Sequence, residues 1–173
     1  MKLLAILFII LAIVLFYYIY VSYTSSGPIT TLADAKFTQT IDPTKLPNNS
    51  GTNNYTYALW MYIDNWNYRY GEPKVVFGRT DSSAQGEPNP SPSVILGAMQ
   101  NDLTISVTTF PKSPSSTPLV HNCVIKNVPL QKWTCLLVSL YGRSMDVYLD
   151  GKLVRTCVLP GVAKVNKSAP VKV

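Results

Sequence analysis

The hydrophobic pattern changes character three times along the chain. Residues 3–23 are apolar in every direction around a helix, and no charge follows Lys2 until Asp34. Roughly 21 residues at about 1.5 Å each reach about 31 Å, close to the hydrocarbon thickness of a bilayer. Leu3, Leu11 and Phe16 belong to the apolar body, while Tyr17, Tyr18, Tyr20 and Tyr23 gather at its far end, where an aromatic belt meets headgroups. Lys2 is the only side-chain cation near the other end, so the charge bias puts the N-terminus in the cytoplasm and the rest across the membrane. A cleaved signal has a shorter apolar core and a better small-residue site than Thr24, Ser25 and Ser26. The run therefore reads as a membrane anchor, with the lipid bilayer as its first partner.

Residues 24–54 turn polar and are punctuated by Gly27, Pro28, Pro43 and Pro47, then by the Asn48 to Gly51 cluster. They read as an extended stalk, with one extended segment near 36–41. From residue 55 to 162 the period shortens to two. Residues 57–64 alternate Tyr57, Leu59, Met61 and Ile63 against Ala58, Trp60 and Tyr62, with both sets apolar, as in a strand covered on both faces or an aromatic-rich sandwich strand. Further strands are expected at 74–79, 93–98, 103–109, 123–127 and 133–141. Residues 86–92 and 111–118 are so rich in proline that both are expected to be exposed loops. The last eleven residues carry Lys164, Lys167 and Lys172 and read as a basic tail, 163–173.

The sharpest local signal is Asp150-Gly151 between alternating apolar runs, which calls for a two-residue hairpin with positive φ at both positions. With Leu149 opposite Lys152, the register pairs Tyr148 with Leu153, Val147 with Val154 and Asp146 with Arg155. Met145, Val147, Leu149, Val154 and Val158 then share the core face. Short strands, regular turns and no helical period beyond the anchor give an all-β, antiparallel jelly-roll sandwich preceded by one transmembrane helix.

Composition narrows the chemistry. The net charge of +6 comes from scattered Lys and Arg with no basic run, which argues against nucleic acid as a partner. Cys123, Cys135 and Cys157 have no metal or redox spacing and allow at most one bridge; Cys135 and Cys157 read as small buried hydrophobes. Asn48, Asn54 and Asn166 lie in glycosylation sequons. Glu72 and Glu87 are the only glutamates and His121 the only histidine, with no paired carboxylates on one strand, so no catalytic residue and no enzyme is expected. Asp64, Asp81 and Asp102 end or connect strands and are candidate calcium ligands, but turn-forming aspartates are commoner than ligands, and neither a metal nor a cofactor is assigned. Residues 64–70 contain Trp66, Tyr68, Arg69 and Tyr70, residue types enriched in binding hot spots, so this loop is the candidate partner-binding site; the alternative is that it caps the open end of the sandwich.

The strings YALWMYI at 57–63, VVFGR at 75–79, WTCLLVS at 133–139 and MDVYLDGKLV at 145–154 resemble the concanavalin A-like, laminin-G-like jelly roll over about residues 54–162. Residues 141–162 are similar to a version found in membrane-anchored proteins of large double-stranded DNA viruses, including those of algae and amoebae. The resemblance implies a virion protein, a minor capsid component between an internal membrane and the capsid shell, with other capsid proteins, the major capsid protein included, as partners. The other expectation is a surface-displayed lectin-like module that binds a glycan or a protein through the same loops.

Overall fold

The computed structural model describes residues 2–24, 27–47, 51–82, 88–111 and 117–173. It divides into two compact units, Met1–Ala33 and Asp34–Val173. The first holds helix α1, Lys2–Thr24, which includes Leu3. Within α1, Ile6–Tyr23 is long and apolar enough to cross a membrane, and none of it is buried by protein. Leu11, Phe16, Tyr17, Tyr18 and Tyr20 are all exposed.

The second unit is a two-layer antiparallel sandwich. One sheet joins β1 (Thr40–Ile41), β3 (Lys74–Ser82), β4 (Pro88–Leu96), β5 (Leu103–Thr109), β6 (Leu119–Ile125) and β10 (Val171–Lys172) in the order β1-β10-β3-β4-β5-β6. The other joins β2 (Tyr55–Tyr62), β7 (Trp133–Tyr141), β8 (Ser144–Leu149) and β9 (Lys152–Val158) in the order β2-β7-β8-β9. Alternation decides the layers: Leu103, Ile105 and Val107 of β5 face Leu136, Val138 and Leu140 of β7 and Met145 and Val147 of β8 across one core. Each such side chain contributes about 1.5–3 kcal/mol by leaving water. The expected all-β sandwich with one apolar N-terminal helix is what the chain forms.

Two segments that pattern alone puts outside the sandwich are strands within it. β1 lies in the expected stalk, and β10 lies in the expected basic tail, paired on both sides, with Ile41 opposite Val171 and Val171 opposite Arg79. The reason is Arg79. Its guanidinium is buried and donates from Nε to the Ala169 carbonyl at 3.0 Å and from an NH2 nitrogen to that of Lys167 at 2.6 Å, so the C-terminal segment is pinned to β3. The stretch expected as a proline loop is also corrected, since residues 88–92 open β4, with Thr80 opposite Pro90 and Asp81 opposite Asn89. β5 pairs only with Ser93 to Leu96, so the prolines at 88, 90 and 92 interrupt no β4–β5 ladder. The other proline stretch connects β5 and β6, and its residues 112–116, like 48–50 and 83–87 with Asn48 and Glu87, lie outside the described residues.

The β8–β9 hairpin forms as expected at its tip, with φ +51° at Asp150, +78° at Gly151 and Tyr148 opposite Leu153. Then β9 bulges. Val147 faces Arg155 and Asp146 faces Thr156, accepting its hydroxyl at 2.6 Å, in place of the expected Val154 and Arg155 partners. One extra residue reverses the side-chain parity beyond it. Val154 and Val158, expected in the core, are exposed, and Cys157 turns inward instead. There it bonds Cys123 of β6, with the two Cα atoms 6.2 Å apart. β6 ends one sheet and β9 ends the other, so this bridge ties the two layers at one margin. Cys157 is thus a cross-link, not a free buried thiol, and Cys135 is the free cysteine.

Candidate binding surface

Strand β2 puts Tyr57, Leu59 and Met61 against the core, and the same alternation turns Ala58, Trp60 and Tyr62 outward. Strand β7 does likewise, with Thr134, Leu136 and Val138 buried and Trp133, Cys135 and Leu137 on the other side. The antiparallel register sets Tyr62 opposite Trp133, Trp60 opposite Cys135 and Ala58 opposite Leu137. In the next rows Leu137 faces Tyr148, and Tyr148 faces Leu153. The outer face of the four-stranded sheet is therefore aromatic at one end, with Trp60 66 %, Trp133 48 % and Tyr62 47 % exposed. The Tyr62 and Trp133 rings lie 5.6 Å apart, tilted by 50°.

The opposite end of this face is polar. Thr56 and Ser139 hydroxyls share a hydrogen bond at 3.1 Å, and the Asp146–Thr156 pair lies beside them. The margin near the aromatics is fixed by Asp150, whose carboxylate meets the Lys132 ammonium at 2.8 Å and accepts the Cys135 backbone N–H at 2.9 Å. Those two hydrogen bonds, the lysine's first, hold the Asp150 pKa below its ordinary value. The face thus presents large rings beside a satisfied polar rim, the composition of hot-spot surfaces.

The loop singled out from sequence divides in two. Trp66 packs partly buried against the core, with its indole Nε1 enclosed and without a partner and the Lys74 ammonium 5.1 Å from the ring centre. It plugs the end of the sandwich. Tyr68 and Tyr70 are exposed, the former with the Lys36 ammonium 5.5 Å from its ring. Arg69, at φ +48°, holds Glu72 at 2.8 Å, and Asn65 accepts the Asn67 N–H at 3.0 Å, so local turns set the loop's shape. Among the described residues no three of His, Cys, Asp and Glu gather where a metal could sit. Asp64 accepts from Asn65, Asp102 lines a shallow pocket beside Trp66, and the side chain of Asp81 lies outside the described residues.

Trp60, Tyr62 and Trp133 were not among the residues expected to bind. A two-layer sandwich covers each strand on one side only, so two apolar sets on 57–63 require one of them to face outward; that was the available signal. A family model described as the concanavalin A-like lectin/glucanases superfamily matches residues 38–172, a span that includes both β1 and β10. No curated protein matches the chain.

Proposed function

Since the chain belongs to the concanavalin A-like lectin/glucanases superfamily, we propose that it is a membrane-anchored minor structural protein of a large double-stranded DNA virus. The fold is that of a jelly-roll binding module, and the proposal concerns what it binds. Helix α1 holds one end in an internal membrane, and the sandwich holds capsid proteins, the major capsid protein among them, at the distance that residues 24–39 allow. The role is mechanical and involves no reaction. The observation that carries it is the exposed Trp60, Tyr62 and Trp133 cluster on a head whose chain also holds an apolar span. The similarity of residues 141–162 to membrane-anchored virion proteins supports the setting, and the Cys123–Cys157 bridge suits a head facing away from a reducing cytosol.

Cross-linking mass spectrometry on intact particles tests the proposal, with Lys132 and Lys152 near the margins of the face as reporters. The expected result is abundant links from both to capsid-type proteins. A head without protein links, on a helix that remains in the membrane, overturns it.

A further inference from the structure

We propose that the head binds a short extended acidic segment of a partner polypeptide in the groove between the free margins of β6 and β9, adding it as a strand along β9. This site is separate from the aromatic face and does not depend on the virion reading. β6 and β9 are the last strands of their sheets, so each presents unpaired main-chain N–H and C=O groups at its outer edge. Beside the Cys123–Cys157 bridge lies a groove of about 660 Å³ between these margins. Val124, Ile125, Leu149 and Val154 supply an apolar lining. Lys126, Lys152 and Arg155 supply the charge.

The charge is unbalanced. None of the three cations forms an ion pair with a described residue, and the one acid in the lining, Asp150, is already engaged by Lys132 and the Cys135 N–H. Lys152 pairs with Leu149 and Arg155 with Val147, which sets both cations on the inner side of β9, at the groove and not on the aromatic face. The bulge that turns Cys157 inward also leaves Val154 exposed in this lining. An occupant must therefore offer carboxylates to the rim, apolar groups to the lining and main-chain partners to the edge. An extended segment of alternating acidic and apolar residues does all three, in the manner of strand addition. At about 3.3 Å per residue, a segment of roughly four to six residues runs the length of the groove margin.

The test uses the full-length chain in zwitterionic detergent and labelled octapeptides read by fluorescence anisotropy. An octapeptide of alternating glutamate and valine is expected to bind saturably, with at least tenfold weaker binding when glycine replaces valine or lysine replaces glutamate. Of two versions N-methylated on all glutamates or on all valines, one keeps binding and the other loses it, because strand pairing uses alternate N–H groups. The Lys152→Glu/Arg155→Glu double variant, and separately Lys126→Glu, bind at least tenfold more weakly while still titrating one free thiol, Cys135. Absence of saturable binding overturns the proposal, as does equal binding of the glycine peptide, of both N-methylated peptides, or by the charge-reversed variants. If Lys152→Thr/Arg155→Thr self-associates and the wild-type chain ignores the peptide, the cations guard the edge and the proposal fails.

Discussion

The two outer faces of the sandwich share one core and differ in almost everything else. On the six-stranded sheet the outward rows are Val75, Ile95, Thr104 and Val124, then Ser93, Ser106 and Asn122, with Ser106 donating to Asn122 at 2.8 Å. No ring stands among them. On the four-stranded sheet the corresponding positions hold Trp60, Tyr62, Trp133, Leu137 and Leu153. Hydroxyls and β-branched side chains are what a pleated surface in water needs, and they suffice for the larger sheet. Folding alone does not ask the smaller sheet for two exposed tryptophans, so their presence points to what the head touches.

The sharpest way to break the comparison is to remove what both faces share. Leu136→Ala, beneath the aromatic face and fully buried, is expected to cost about 2–5 kcal/mol in urea unfolding of the full chain in detergent. Cys123→Ser removes the tie between the layers; for a sequence separation of 34 residues the loss is about 3–4 kcal/mol. Reductant should reproduce that loss in the wild type, and Cys135→Ser should not. Trp60→Ala/Trp133→Ala separates the faces directly. Its stability is expected to change by about 1 kcal/mol or less, while cross-link yield to the partner falls at least tenfold; Ser106→Ala changes neither.

The smallest effect concerns the rim of the aromatic face. The Asp150 pKa is lowered in the folded head by its hydrogen bonds to Lys132 and to the Cys135 N–H. Its contribution is therefore present above the ordinary carboxylate pKa of about 4 and is lost as pH falls through the lowered folded value. Asp150→Asn is expected to flatten that part of the acid unfolding profile and to lower stability near neutrality, where the wild-type carboxylate contributes in full.

Where the physics is local, the sequence is readable. The Asp150-Gly151 turn, the α1 run and the alternation in 133–141 each depend on neighbours within a few residues, and each stands where the pattern puts it. The rest depends on distant partners. Proline spacing in β4 becomes harmless only because β5 stops short of it, and β10 is a strand only because a buried Arg79 reaches the carbonyls of Lys167 and Ala169. The bulge in β9 has no local signature in Lys152 to Val158, yet it decides that Cys157 and not Val158 meets the core. In sequence Trp66 sits in a loop expected to be exposed, and Trp60 in an apolar strand expected to be covered. The fold packs the first, partly buried, against the core and displays the second, so Trp66→Ala is expected to cost about 2–3 kcal/mol of stability by unplugging the core.

The most direct measurement is site-specific photo-cross-linking in native particles, with a benzophenone side chain placed at Tyr62 in one chain and at Asn122 in another. These positions stand on the two outer faces. The account predicts a discrete protein adduct from position 62 and none from position 122. An adduct from position 122 with none from 62, or lipid alone captured at 62, would contradict it.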